Sequence, residues 1–287
     1  MSENLTPNSE SRVPSFPEIH RRSDSMPLLM GILNMTPDSF FSNSRYSIDD
    51  ALKQAKSMIE NGANWIDIGG ESTRPGASKI SIEEEINRVI PVIKLLRNQN
   101  PGVMISIDTR NHQVARLAIE NGANMINDVS GLRDKKMLDL VLESGCAVCI
   151  MHMNGEPGNM QDNPFYDDVV EEVASQLEQK AEELVAQGHP KELIVIDPGI
   201  GFGKTQEHNL KLMKSIDRFK TSGYALLWGI SRKSIIGNIT GKSDASDRLS
   251  GTLASSLFAA LNGVDILRVH DIDEHNDLFK VYHALND

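Results

Sequence analysis

The sequence predicts an α/β chain of one domain, a (β/α)8 TIM barrel behind a disordered N-terminal arm, and three observations carry that expectation. The first is a recurring phrase: Asn61-Gly62 leads to Trp65-Ile66-Asp67, Asn121-Gly122 to Met125-Ile126-Asn127, and Asn262-Gly263 to Ile266-Leu267-Arg268. Each copy carries a polar residue five places after its glycine, and a looser copy runs from Ser144-Gly145 to Cys149-Ile150-Met151. Glycine after an amphipathic stretch is the usual left-handed helix stop, and the apolar run behind it is too short for a helix but right for a buried strand. The second observation is the eight short apolar runs: Leu28 to Leu33, Trp65 to Ile68, Val103 to Ile107, Met125 to Ile126, Ala147 to Met151, Leu193 to Ile196, Ala225 to Ile230 and Ile266 to Val269. The third is that longer amphipathic stretches separate them, and strand-helix alternation throughout means a parallel sheet. Eight units in 287 residues, without a leading glycine-rich dinucleotide fingerprint, favour the closed barrel over an open sheet.

In chain order, residues 1 to 25 are rich in Ser, Pro, Asn and charge without periodicity, so they are expected as a disordered arm, and the barrel domain takes residues 26 to 287. Arg21-Arg22 ahead of Met26 to Met35 has the order of a twin-arginine signal, but the stretch is short and contains Asn34, so it reads as the first strand. Ser47 to Glu60 is a helix closed by the first copy of the phrase, which delivers the second strand. Ser81 to Arg97, with an acidic first turn, is the helix before the third strand. The second copy delivers strand four and the looser copy strand five. Asp167 to Ala186 is the helix before strand six, and Leu249 to Leu261 is the helix before strand eight. Cys146 and Cys149 form a C-x-x-C inside an apolar run, but residues three apart on a strand point to opposite faces, so two inert buried thiols are expected.

A formal net charge of -11 argues against binding nucleic acid or an anionic membrane through overall charge, so an anionic ligand needs a local cluster of cations. No apolar run reaches the 18 or so residues of a membrane span, and a cytoplasmic protein is expected. In a parallel barrel the active site is built from the C-terminal strand ends. Those ends read Asn34, Asp67 with the loop Gly70 to Gly76, Asp108, Asn127 with Asp128, Met151 with His152, Asp197, Ser231 to Lys233, and Arg268 with His270. A single Asp or Asn there can simply cap the next helix; the whole set points to chemistry. Asp108, Asn127 and Asp197 are acceptors suited to a flat ring rich in N–H donors, while Arg74, Arg232, Lys233, Arg268 and His270 suit phosphate or carboxylate.

Gly203-Lys204-Thr205 has the ending of a P-loop, but Pro198 stands where that loop needs its first glycine. What Asp197 to Gly203 supplies is a flexible turn from which Phe202 projects, either to cover the barrel mouth or to line a planar substrate. Ser231-Arg232-Lys233-Ser234 opens a helix with cations and free amides together, an anion site or a solvated basic helix start.

Long motifs stand at these strand ends: Met30-Gly31-Ile32-Leu33-Asn34-Met35-Thr36-Pro37-Asp38-Ser39-Phe40, Asp67-Ile68-Gly69-Gly70-Glu71-Ser72-Thr73-Arg74-Pro75-Gly76, Asp197-Pro198-Gly199 with Gly201-Phe202-Gly203-Lys204, Ser231-Arg232-Lys233-Ser234 and Arg268-Val269-His270-Asp271. Over roughly residues 28 to 272 the chain resembles the dihydropteroate synthase family. The resemblance implies a barrel that joins 6-hydroxymethyl-7,8-dihydropterin diphosphate to 4-aminobenzoate, releasing pyrophosphate and making 7,8-dihydropteroate for folate biosynthesis. It implies that Asp108, Asn127, Asp197 and Lys233 hold the pterin with Met151 packing nearby. It places the diphosphate against Asn34, Thr73, Arg268 and His270, with magnesium (Mg2+) reached through Asn34. It places 4-aminobenzoate over Thr73, Arg74, Pro75 and Phe202, with its carboxylate near Ser231. Catalytic roles fall by the same resemblance on Asp38, Thr73, Arg74, Lys233, Arg268 and His270, and sulfonamide targeting and a homodimer through outer helices are implied as well.

Asp67 is expected to support the second loop or the diphosphate indirectly, and Asn127 and Arg268 are expected at opposite ends of one ligand. After Ser39 the family commonly continues Phe-Ser-Asp-Gly-Gly, whereas this chain reads Phe40-Phe41-Ser42-Asn43-Ser44-Arg45. Pterin-dependent methyltransferases share the barrel, but they need no aminobenzoate site, and Ser72 to Gly76 and Ser231 to Ser234 favour the synthase. A pterin-binding protein without catalysis would be expected to lose Asn34, Arg268 and His270.

Overall fold

The protein is described by a computed structural model that covers residues 26–36, 44–72, 79–156 and 158–286. The predicted arm, residues 1 to 25, lies outside the described residues. Eight parallel strands close in sequence order, with the last paired to the first: β1 Leu28–Asn34, β2 Trp65–Gly69, β3 Met104–Asp108, β4 Met125–Asp128, β5 Ala147–Met151, β6 Ile194–Asp197, β7 Ala225–Trp228 and β8 Ile266–Val269. The helices between them are α1 Ser44–Glu60, α2 Ile82–Gln99, α3 His112–Glu120, α4 Lys135–Ser144, α5 Val169–Ala186, α6 Gln206–Lys214, α7 Ile216–Lys220, α8 Ser234–Thr240, α9 Leu249–Leu261 and α10 Ile272–Asn286. Boundaries differ from expectation where local chemistry intervenes. The Asp168 side chain caps the first turn of α5, Leu193 sits in a short 3-10 turn before β6, and β7 stops at Trp228 because Gly229 and Ile230 already leave the sheet.

The recurring phrase has a common physical basis. Gly62, Gly122 and Gly263 have φ of 97°, 104° and 93°. Around them, Gly62 N–H donates to Ile59 O and Ala63 N–H to Met58 O, a Schellman pair repeated at Gly122/Ala123 and at Gly263/Val264. The residue two after each glycine then staples the preceding strand. Asn64 Oδ1 accepts from Leu29 N–H at 2.9 Å, Asn124 Oδ1 from Ile105 N–H at 2.9 Å, and Asp265 Oδ2 from Leu226 N–H at 2.8 Å. Each copy thus stops a helix, turns the chain and sets the start of the neighbouring strand.

Strand alternation sorts the side chains. One face of the strands packs with the helices in the main core, which includes Ile66, Ile105, Ile126, Cys146, Val148 and Leu267. The other face fills the barrel, where Met30, Trp65, Met104, Met125, Cys149, Val195, Leu227 and Ile266 form an apolar plug. The two buried cysteines therefore lie in different clusters, as their spacing predicts. Two residues further along the same inner faces come Asp67, Ser106, Asn127, Met151, Asp197 and Arg268, and Asp108 stands one inner position beyond Ser106. The barrel is apolar below and polar above, which puts the candidate site at its C-terminal mouth.

Candidate active site

Arg268 is the centre of the mouth. Its Nε donates to Asp67 Oδ2 at 2.6 Å and its Nη2 to Asp108 Oδ2 at 2.7 Å, so one guanidinium bridges carboxylates from β2 and β3. Asn127 Nδ2 donates to the same Asp67 oxygen at 3.2 Å. Asp67, Asn127 and Arg268, the three polar residues of the repeated phrase, thus form one cluster. Asn127 and Arg268, expected at opposite ends of one ligand, share Asp67 as a partner. Asp67 lies two residues before the end of β2, fully buried, and it orients both. With Nδ2 committed to Asp67, Asn127 is left with Oδ1 as its free acceptor. Asp67 Oδ1 and Asp108 Oδ1 are buried without a hydrogen-bond partner. Buried carboxylate oxygens of this kind are rare unless a ligand completes them. Burial pushes the Asp108 carboxyl up to about 7 against the pull of Arg268. Burial works against the Arg268 charge too, but Asp67 and Asp108 more than offset it and hold its pKa above the ordinary value.

On the opposite wall, Asp197 ends β6 and accepts from Gly199 N–H at 2.7 Å. Burial raises its pKa, opposed first by Lys233. Lys233 reaches in from the start of α8: its Nζ donates to Ile200 O and stands 4.4 Å from the centroid of the Phe202 ring. Burial lowers the Lys233 ammonium to about 8. Met151 packs with Val129, Met153 and Met160, and Phe202 lies against this cluster. Phe202 is therefore held between a sulfur-rich apolar patch and a cation, a wall of the mouth that can receive a flat ligand.

The ends of β7 and β8 are tied together. Ser231 Oγ lies 3.0 Å from His270 Nδ1 and accepts from His270 N–H at 3.3 Å. Arg232, in the left-handed region at φ 57°, forks onto the Asp271 carboxylate through Nε at 2.9 Å and Nη2, while its N–H donates to Thr252 Oγ1 at 3.0 Å. One expectation changes here. Arg232, counted among the cations for an anionic ligand, instead braces the turn that presents Lys233. The exposed hydroxyl at the first turn of α8 belongs to Ser234.

Asn34 closes β1 with a half-buried side chain, paired through the backbone to Gly69. Among the described residues no group of three His, Cys, Asp or Glu could hold a metal ion. A neutral amide at the mouth fits magnesium that takes its remaining oxygens from phosphate and water. Asp38, Thr73, Arg74 and Pro75 lie outside the described residues. The stretch leading to Thr73 is anchored: Arg88 donates to Gly70 O at 2.8 Å, and Arg110 forks onto Glu71 with two bonds of 2.9 Å.

The family model described as pterin binding enzyme matches residues 30–270. The chain is 42% identical over 261 residues to a dihydropteroate synthase of Haemophilus influenzae, covering 91% of this chain and 94% of that one. To the dihydropteroate synthase of Escherichia coli it is 44% identical over 261 residues, covering 91% and 92%. Among solved structures, the Yersinia pestis dihydropteroate synthase with a sulfonamide drug complex superposes with a TM-score of 0.85 at 39% identity, covering 91% of this chain and 95% of that one. The Xanthomonas albilineans enzyme in complex with 7,8-dihydropteroate does so at 0.82 and 38% identity, covering 91% and 94%.

Proposed function

The chain belongs to the dihydropteroate synthase family of pterin binding enzymes, and from that premise we propose how its barrel mouth carries out the synthase reaction. The enzyme is a transferase of folate biosynthesis that condenses 6-hydroxymethyl-7,8-dihydropterin diphosphate with 4-aminobenzoate to give 7,8-dihydropteroate and pyrophosphate. The observation that carries the site reading is the acceptor-rich floor: an unpartnered Asp108 Oδ1, with Asn127 and Asp197 buried beside it. A ring with several N–H donors completes that floor, and few other planar ligands do. Methyl transfer, the alternative reading, gives way because the matched relatives are synthases over nine-tenths of this chain.

In this reading Asp108, Asn127 and Asp197 accept from the pterin edge, Lys233 donates to its acceptor atoms, and Met151 packs nearby. The diphosphate lies against Asn34, Thr73, Arg268 and His270. Asn34 would hold magnesium, which when bound would supply positive charge to the departing pyrophosphate. Arg268 keeps donors beyond those on Asp67 and Asp108, and with His270 it stabilises the same developing charge. 4-Aminobenzoate enters over Phe202, beside Thr73, Arg74, Pro75 and Ser231. The methylene carbon–oxygen bond breaks and pyrophosphate departs, the amine nitrogen then forms its bond to that carbon and gives up a proton to water; no covalent enzyme intermediate is needed. Asp38, Thr73 and Arg74, outside the described residues, keep the catalytic roles that the family resemblance implies.

The wider setting belongs to the same proposal: a single barrel domain from residue 26, an N-terminal arm over residues 1 to 25, a cytoplasmic enzyme, and small-molecule partners with no nucleic acid or membrane. The two buried free thiols accord with a reducing compartment. No helix among the described residues is long and apolar enough to cross a membrane. A homodimer is supported by exposed apolar side chains on three consecutive outer helices, Ile239 on α8, Phe258 and Leu261 on α9, and Val281 and Leu285 on α10.

The direct test is to mix the protein with the pterin diphosphate, magnesium and 4-aminobenzoate and detect dihydropteroate by mass spectrometry. No product where a known synthase turns over rejects the reading. The titrations add a second expectation. Asp108 accepts best when ionised, above about 7, and Lys233 donates its charge below about 8. The kcat/KM for the pterin diphosphate should therefore be bell-shaped, rising through the first value and falling through the second. Lys233→Arg should remove the alkaline limb, and a profile flat between about pH 6 and 9 would contradict the assignment.

A further inference from the structure

One buried cation at the mouth touches no proposed substrate position. Lys204 is 3% exposed, and its ammonium lies 2.9 Å from Phe202 O, 3.1 Å from Gly199 O, 3.2 Å from His152 O and 3.0 Å from His152 Nδ1. An ammonium carries three protons, so these four acceptors saturate it. Burial lowers His152 to about 3, with Lys204 adding to the effect, so the imidazole is neutral and accepts. His152 directly follows β5, while Gly199 and Phe202 belong to the loop after β6. Lys204 is thus a cross-link between two neighbouring strand-end loops.

Other contacts close the same seam. A Cβ at Gly199 would lie 1.9 Å from His152 O, so only glycine, here at φ 67°, lets the loops meet. Tyr166 Oη donates to Gly203 O at 3.0 Å and Gln161 Nε2 to Gly201 O at 2.8 Å. The loop so fixed sets two groups of the mouth: the Phe202 ring under Lys233, and the Gly199 amide on Asp197. A buried lysine is a costly way to close a loop: burial, opposed by Asp197, lowers the Lys204 pKa to about 7. What it does that a packed methionine cannot is draw three carbonyl oxygens to one point.

We propose that Lys204 is a positioning residue for the synthase reaction, a buried amine cross-link that holds the Phe202 ring where it receives 4-aminobenzoate and steadies Lys233. This rests on the synthase reading above. With both substrates varied, Lys204→Met should raise the KM for 4-aminobenzoate about tenfold while the Kd for the pterin diphosphate moves less than about threefold. A merely structural role would lower the melting temperature and kcat and leave that KM alone. If Lys204 acts through the ring, the double variant with Phe202→Ala is no worse in that KM than Phe202→Ala by itself; additive losses overturn the proposal. Lys204→Arg, which keeps charge and donors, should recover part of the KM.

Should Lys204→Met fail to fold, Tyr166→Phe releases the Gly203 carbonyl without removing a charge. It carries the same expectation at smaller size, and an unchanged KM there overturns the proposal. Wild-type protein that makes no dihydropteroate rejects the synthase reading itself, whereas wild-type turnover with an unchanged KM in the variants rejects only the positioning role.

Discussion

Lys233→Met is expected to lower kcat/KM by about a thousandfold, because it removes a preorganised cation from a water-poor site, while the protein still folds and melts within about 5 °C of the wild type. The two halves of the expectation have one cause. Lys233 is half-buried beside Asp197 and Phe202, its ammonium makes one hydrogen bond to a backbone carbonyl, and desolvation lowers it to about 8. A lysine whose folded pKa lies below its unfolded value of about 10.4 binds fewer protons when folded. Between those two values the unfolded state holds more protons, so this group's contribution to stability rises with pH across that window and is least favourable below pH 8. Methionine does not titrate. The variant should therefore gain stability relative to wild type below pH 8 and lose that gain as pH approaches about 10. Melting curves at the two ends of the window, beside steady-state rates at pH 7.5 or so, check both halves. An unchanged rate would remove Lys233 from the site, and a collapse of the fold would make it a structural residue.

The barrel was legible because its signals are local. The helix stop, the buried strand and the polar residue five places on all lie within one short phrase, and the structure shows why that phrase works: a Schellman pair followed by an Asn or Asp that caps the neighbouring strand. Asn64, Asn124 and Asp265 recur with the glycines and could have been found by aligning the copies one residue further. The partners at the mouth were less legible because barrel closure brings together residues far apart in the chain. Asp67 and Arg268 are separated by 201 positions, and only the pairing of β8 with β1 brings them together, on the two strands that flank β1.

Chemistry alone also misassigned charge. Arg232 and Lys233 are adjacent and look interchangeable in sequence, yet a left-handed turn at Arg232 sends it to Asp271 and sends Lys233 inward. Lys204 had the opposite fate. In sequence it reads only as the lysine of a failed phosphate loop, since nothing in Gly203-Lys204-Thr205 announces that three carbonyls of two loops converge on it.

Asp108→Asn should separate binding from stability. The pterin diphosphate should bind about a hundredfold more weakly, since a charged acceptor is replaced by an amide that presents one acceptor and an N–H where the ring brings its own donors. Binding of 4-aminobenzoate should change by less than about threefold, because the proposed place for that substrate is over Phe202 and not at the β3 end. The ligand-free variant, in contrast, should melt higher than wild type at alkaline pH. Burial raises the folded Asp108 pKa to about 7, against about 3.9 for an unfolded aspartate. Across that interval the folded state holds the extra proton, so wild-type stability falls as pH rises, and above 7 the full cost of a buried carboxylate is present. Asparagine carries none of this cost, and Arg268 keeps its bond to Asp67. The advantage of the variant should thus be greatest near pH 8 and vanish near pH 4, where both side chains are neutral. Calorimetric titration with each substrate, paired with melting temperatures at the two pH values, reads both effects. Equal loss of the two substrates would mean that Asp108 shapes the mouth as a whole, and a variant less stable at pH 8 than at pH 4, relative to wild type, would mean that the ion pair with Arg268 outweighs burial.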